Sequence, residues 1–351
     1  MILEVWKMYL KTIVFNFYIK TKETVANLLS KTDIGTELGK IARGLLILIE
    51  SFENYAEIKE PEYLIFPLIK PPEPRPSDEL LKNVGNILSK SKQILLMGPP
   101  GTGKTHLAMW VAHAFTIEGK DGVWILVQFH QSYRYEDFIE RIILKPHDGV
   151  KLEIEPQLFV RLCLYAQQNP SKKVVLVIDE INRADVASVF GELIYAIEYR
   201  GYPVKLAYSK DDLTIPDNLY IIATANDVER GTFDIGVALR RRFEVIRMDT
   251  KEDYLRALLE QNKAPDEVVD LAVEIFRGTN KFFERIIGKK GIGHLFFRDV
   301  NDVNSLKGAW YYRIRPLIEA YFYAPGTKED ASKLINNIES RFKQLQGGTI
   351  G

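Results

Sequence analysis

Gln93-Ile94-Leu95-Leu96-Met97-Gly98-Pro99-Pro100-Gly101-Thr102-Gly103-Lys104-Thr105 decides the fold. The apolar run Ile94 to Met97 reads as a buried strand that stops at Gly98. Gly98 to Thr105 then fits G-x-x-x-x-G-K-[ST] at every fixed position, and His106 to Phe115 is apolar at helical spacing. Strand, glycine-rich loop and helix in that order are the context a phosphate-binding loop requires. Glycines let backbone N–H groups curl round an anion without Cβ clashes, and the helix start adds partial positive charge. Gly98, Pro99, Pro100, Gly101, Thr102, Gly103, Lys104, Thr105 and His106 are therefore the candidate nucleotide-binding residues. Lys104 has the reach for the β- and γ-phosphates. The Thr105 hydroxyl is a candidate Mg²⁺ ligand.

A second constellation follows about 75 residues later. Val174-Val175-Leu176-Val177-Ile178-Asp179-Glu180 is a strand ending in two carboxylates. At the C-terminal edge of a parallel sheet they face the same crevice as the phosphate loop. Asp179 is placed to hold Mg²⁺ through water. Glu180 is placed to polarise an attacking water beyond the γ-phosphate. Ile221-Ile222-Ala223-Thr224-Ala225-Asn226 is another strand with a polar end, and Asn226 is expected to position that water. Leu239-Arg240-Arg241-Arg242-Phe243 carries three adjacent arginines, which cannot share one helix face. In an oligomeric nucleotidase an outward arginine can enter a neighbour's site and neutralise transition-state charge, so Arg241 and Arg242 are candidate catalytic residues.

The remaining chain builds the frame. Strands are expected at Gly122 to Phe129, Lys173 to Ile178, Leu219 to Thr224 and Glu244 to Met248. Helices are expected at Leu80 to Leu88, Tyr135 to Ile143, Gln157 to Gln168, Ser188 to Tyr199 and Val237 to Arg242. Lys145 to Pro156 reads as a loop with a small hairpin around Asp148-Gly149. Val204 to Tyr208 and Asp212 to Ile215 suggest a second hairpin. This alternation predicts an α/β fold, a parallel sheet covered by helices. Lys70 to Asp78 holds four prolines between 71 and 76, which forbid helix, and marks a boundary. The expected division is a small, mainly helical N-terminal region over 1–69, a proline-rich linker over 70–79, the nucleotide-binding core over 80–248 and helices over 249–351.

Composition narrows the class. The 351 residues are 46% hydrophobic and 27% charged, as in a soluble globular protein. Lys+Arg and Asp+Glu are both 47, so the whole chain exerts no net pull on nucleic acid. The single cysteine, Cys163, rules out an internal disulfide and a cysteine-based metal site. No run approaches the ~18 apolar residues of a membrane span. A cytoplasmic location and no membrane contact are expected.

Together these residues resemble the AAA+ family, and within it the McrB branch. The finer match rests on Phe129-His130-Gln131-Ser132-Tyr133 with Tyr135-Glu136-Asp137-Phe138, and on Ile178-Asp179-Glu180-Ile181-Asn182-Arg183 with Phe190-Gly191-Glu192-Leu193. It continues through Thr224-Ala225-Asn226 with Arg230, Ala238 to Phe243, and Ile292-Gly293-His294. The resemblance covers about Leu80 to Phe322. It implies a hexameric, GTP-driven motor subunit of a modification-dependent DNA restriction system that works with a McrC-like nuclease. It implies that the C-terminal helices form a lid, that Asn226 is the sensor, and that Arg230 lies beside the site. Arg241 and Arg242 would fall at the subunit boundary and His294 in the lid near the nucleotide.

The sequence also departs from that pattern. Glu229 stands where the family often has Asp before the arginine, and Gly236 where an Asp is common. Leu295-Phe296 replaces a common Ser-Tyr, which leaves His294 as the polar lid residue. The N-terminal region shows no basic aromatic patch and no zinc-ligand spacing, so target recognition is expected either to belong to another chain or to be absent. Lys281 to Arg315 has eight Lys/Arg against three Asp/Glu, an excess that fits either a DNA contact or a solvated face. Base specificity is not readable, because a phosphate loop grips phosphates; ATP and GTP both remain. Two other functions fit the site: a MoxR-like ATP-dependent remodeller of protein complexes, and a nucleotide-gated assembly platform.

Overall fold

Five parallel strands form the central sheet in the order β2-β5-β8-β1-β9, where β1 is Gln93–Gly98, β2 Gly122–Gln128, β5 Lys173–Asp179, β8 Leu219–Asn226 and β9 Glu244–Arg247. The computed structural model describes residues 70–118, 122–146, 150–226, 240–289, 291–321 and 326–347. The chain divides into Met1–Glu62 and Tyr63–Gly351, and every described residue belongs to the second unit. The helices expected within 1–69 lie outside the described residues, as do Arg230 and residues 237–239 of the helix expected over Val237 to Arg242.

Side-chain alternation along the strands assigns two faces. Leu95, Met97, Val174, Leu176, Ile178, Ile221 and Ala223 point to one core, with Phe138, Phe159 and Phe190. Ile94, Leu96, Val175, Val177 and Ile222 point to the other, against Leu107, Trp110 and Val111. Strands buried on both faces read as continuous apolar runs, which is why they were visible in the sequence. The second core is closed by α1 (Asp78–Ser91) and α2 (Lys104–His113), which runs on through a π-turn at Ala114–Glu118. The first is closed by α4 (Leu158–Gln168), α5 (Val186–Phe190) and α6 (Leu193–Glu198).

Two expectations for the core are corrected. Tyr135 to Ile143 is not one helix: α3 covers only Tyr135–Phe138, and β3 (Glu140–Pro146) then pairs antiparallel with β4 (Val150–Pro156). The expected small hairpin is a seven-residue-per-strand ribbon. Ile139, Ile142 and Ile143 have helical spacing, but cross-strand pairing of Ile142 with Ile154 and Leu144 with Leu152 wins. Ser188 to Tyr199 is likewise two helices, broken at Gly191, whose φ of 47° is closed to a side chain abutting the Tyr135 ring. The second hairpin is present as β6 (Val204–Lys205) and β7 (Asp212–Leu213).

The C-terminal helices are α7 (Glu252–Gln261), α8 (Asp266–Ile287), α9 (Val303–Ala309), α10 (Arg315–Glu319) and α11 (Lys328–Gly347). A π-turn at Trp310–Ile314 joins α9 to α10. They close over their own core, with Leu255, Phe276, Phe297, Trp310 and Ile338 fully or almost fully buried. No described helix is long and apolar enough to cross a membrane.

Candidate active site

Strand register gathers the chemistry. Gly98 at the end of β1 pairs with Asn226 at the end of β8, and Gln128 at the end of β2 pairs with Asp179 at the end of β5. All parallel strands deliver their C-terminal ends to one sheet edge, so the phosphate loop, both carboxylates and Asn226 share it. In the loop, Gly101 and Gly103 sit at φ 75° and 87°, a conformation that costs glycine little. The helix α2 starts directly after Gly103, and a helix start in this position offers N–H groups and partial positive charge to an anion. Lys104 is buried, and its Nζ donates to Gly98 O (2.9 Å) and Pro99 O (2.7 Å).

The metal candidates touch. Thr105 Oγ1 donates to Asp179 Oδ1 at 2.6 Å, and Thr224 Oγ1 donates to the same oxygen at 2.7 Å. One hydroxyl and one carboxylate, hard oxygens beside a phosphate cradle, suit Mg²⁺, which keeps waters and substrate oxygens as its other ligands. No cluster of three or more His, Cys, Asp or Glu that could hold a metal exists among the described residues.

Glu180 turns away from the strand at φ 56° and ψ 45°, a left-handed conformation unusual for a glutamate. Its N–H donates to Thr224 Oγ1 (3.0 Å). Asn226 Nδ2 donates to Glu180 Oε1 at 2.8 Å, and Arg183 Nε donates to Glu180 Oε2 at 3.0 Å. Asn182 Nδ2 in turn donates to Asn226 O at 2.8 Å. Asn182, Arg183 and Thr224 acquire these contacts only through folding, although all three stood in the motifs that carry the resemblance.

The other candidates are placed as follows. Arg242 is nearly buried, its side chain 8% exposed, and its guanidinium lies 2.5 Å from Glu198. Arg241 is 60% exposed and reaches the same carboxylate at 3.1 Å. His106 Nε2 lies 2.8 Å from Pro72 O, which also accepts from Trp110 Nε1 at 3.0 Å. That residue thus faces the proline-rich linker. His294 begins a 3-10 turn over the phosphate loop: Gly293 N donates to Pro100 O (2.8 Å) and Leu295 N to Gly101 O (3.0 Å). Burial holds the His294 imidazole below its ordinary value, and its Nδ1 is buried with no partner among the described residues. The basic stretch 281–315 is partly neutralised, Arg285 pairing with Asp330, Arg313 with Asp299, and Arg315 with Glu319 and Glu339.

Sheet order, phosphate loop and paired carboxylates define a P-loop nucleotide-binding domain of the AAA class. Residues 93–243 match the family described as "AAA domain (dynein-related subfamily)". The chain carries an AAA domain of this family and is a homologue of McrB restriction subunits. It is 36% identical over 255 residues to the Type IV methyl-directed restriction enzyme EcoKMcrB subunit of Escherichia coli (strain K12), covering 67% of this chain and 55% of that protein. It is 28% identical over 206 residues to the Type II restriction enzyme BsuMI component YdiS of Bacillus subtilis (strain 168), covering 47% of this chain and 59% of that one. The chain therefore spans little more than half the length of these relatives. Among solved structures, NtrX from Brucella abortus in complex with ADP is 11% identical, covering 68% of this chain and 52% of that one, with a TM-score of 0.39.

Proposed function

We propose that this chain hydrolyses ATP or GTP with Mg²⁺ and serves as the ring-forming motor subunit of a DNA restriction system, alongside a McrC-like nuclease. The observation that carries the reading is the Lys104–Thr105–Asp179–Glu180–Asn226 set gathered at one sheet edge. Two homologues named as restriction components supply the setting.

The chemistry assigns each residue one task. The phosphate-loop N–H groups and Lys104 hold the β- and γ-phosphates and offset their charge. Thr105 and Asp179 would hold Mg²⁺, which when bound supplies charge neutralisation at the phosphate oxygens. Glu180 accepts a proton from the attacking water as its oxygen bonds to the γ-phosphorus. The bond from that phosphorus to the bridging oxygen breaks, giving the diphosphate and inorganic phosphate. Asn226 orients the water and Glu180 together. The exposed Arg241 acts from a neighbouring copy on the transferring phosphoryl group.

An arginine acting in trans makes turnover depend on assembly. Phosphate release per chain should rise with protein concentration, in step with a nucleotide-dependent hexamer seen by light scattering. Full specific activity from a monomer would sink the ring reading.

A further inference from the structure

The arginines of the turn over 240–243 and the phosphate loop lie at opposite ends of one strand. β1 enters the sheet at Gln93 and leaves it at Gly98. β9 runs parallel to it with Glu244 opposite Ile94, so Arg242 lies beside the start of β1. From Gln93 to Gly98 a parallel strand advances about 16 Å. Arg241 and Arg242 thus belong to the sheet edge away from their own Lys104 and Glu180. Gln93 is buried at that edge, and all its polar atoms are engaged. Nε2 donates to Arg242 O at 2.8 Å and to Ile197 O at 3.3 Å, and Oε1 accepts from Arg200 Nη2 at 2.9 Å. That uses both N–H donors of the amide together with its carbonyl. Arg200 Nη1 in turn donates to Leu219 O at 2.7 Å and Pro216 O at 3.2 Å, which ties the node to the start of β8. Ile197 precedes Glu198, the carboxylate that both arginines reach. One buried amide therefore holds the backbone of the arginine turn and the end of the helix that carries its carboxylate partner.

We propose that Gln93 is a positioning residue for the arginine that this chain offers to a neighbouring copy: it fixes the turn and α6 against each other, so that Arg241 leaves the surface at a set angle. The inference rests on the reading of Arg241 as acting in trans. A side chain that must meet a phosphoryl group in another copy needs a backbone that does not drift, because small misplacements of a catalytic group are costly. Arg241 has one side-chain anchor, Glu198, and is mostly exposed, so its aim depends on how the turn beneath it is held.

Gln93→Met keeps the volume and removes all three hydrogen bonds. Gln93→Glu keeps an acceptor for Arg200 but turns a carboxylate oxygen toward the Arg242 and Ile197 carbonyls. Each should lower kcat of the assembled chain roughly tenfold to a hundredfold, with fluorescent-nucleotide affinity unchanged. Mixing separates this from general damage. Gln93→Met chains mixed with Glu180→Gln chains should regain activity, since the first keep an intact site and the second an intact arginine turn. Mixed with Arg241→Ala chains they should show no recovery, because neither offers a well-placed arginine. Where Gln93→Met does not fold, Gln93→Glu, which retains the Arg200 contact, replaces it in the same mixtures. Wild-type kcat in both variants, no recovery with Glu180→Gln, or recovery with Arg241→Ala overturns the positioning role. The mixture of Arg241→Ala with Glu180→Gln distinguishes the two claims. If it does not recover, the trans reading itself fails. If it recovers while Gln93→Met with Glu180→Gln does not, only the role of Gln93 fails.

Discussion

Asn226 Nδ2 donates to Glu180 Oε1 at 2.8 Å, joining the ends of two neighbouring parallel strands whose residues are 46 apart in the chain. The contact follows from register. Ile178 pairs with Ala223, so the strands leave the sheet side by side and their polar ends meet. A carboxylate and an amide placed beside a phosphate loop by backbone geometry need little rearrangement to orient a water.

The two terminal arginines should separate cleanly. Arg242 is nearly buried against Glu198, so Arg242→Ala leaves that carboxylate short of its closest partner and should lower the melting temperature as well as turnover. Arg241 is mostly exposed, so Arg241→Ala should leave the melt unchanged and reduce turnover only in the assembled state. Mixing Arg241→Ala chains with Glu180→Gln chains tests the trans role, because each supplies what the other lacks and activity should reappear.

The approach of Gly293 to the phosphate loop is fixed by its missing side chain. A Cβ at Gly293 would sit 2.2 Å from Gly101 O and 2.5 Å from Thr102 N. Gly293→Ala must push the two segments apart and misplace the loop. Turnover should fall roughly tenfold to a hundredfold, while the helical core around Phe297 and Trp310 keeps its melting temperature. Unchanged turnover would mean that this contact has no part in the reaction.

Much of this was legible before folding. Strands buried on both faces announce themselves as unbroken apolar runs, and the phosphate loop fixes its residues by spacing. The hairpin from Glu140 was not legible as such, because Ile139, Ile142 and Ile143 fit a helix period equally well. Ile142, Leu144, Leu152 and Ile154 also lie exposed on one face, against the usual rule. The break at Gly191 depends on the distant Tyr135 ring. Arg241 and Arg242 looked equivalent in sequence. Both reach Glu198, and only their burial in the fold divides them.

Acid should weaken the fold in two stages. His294 and His113 are both held below the ordinary histidine value of 6.5, chiefly by burial. Between that value and the lower folded one, the unfolded chain binds more protons, so stability falls as pH drops through that window. The melting temperature should therefore decline between about pH 7 and pH 5, and His294→Gln should flatten part of the slope. Glu252, paired with Arg277, and Asp299, paired with Arg313, are held low. Their contribution is lost only at lower pH, as each becomes protonated. A melt flat from about pH 7 to pH 5 would contradict the histidine assignment.

The most direct measurement is phosphate release from ATP and from GTP, side by side, by the wild-type chain and Glu180→Gln, with fluorescent-nucleotide binding in parallel. The account predicts Mg²⁺-dependent release of phosphate from at least one nucleotide by the wild type. It predicts a loss of roughly a hundredfold or more in Glu180→Gln, with affinity retained. Hydrolysis by Glu180→Gln at the wild-type rate would contradict it.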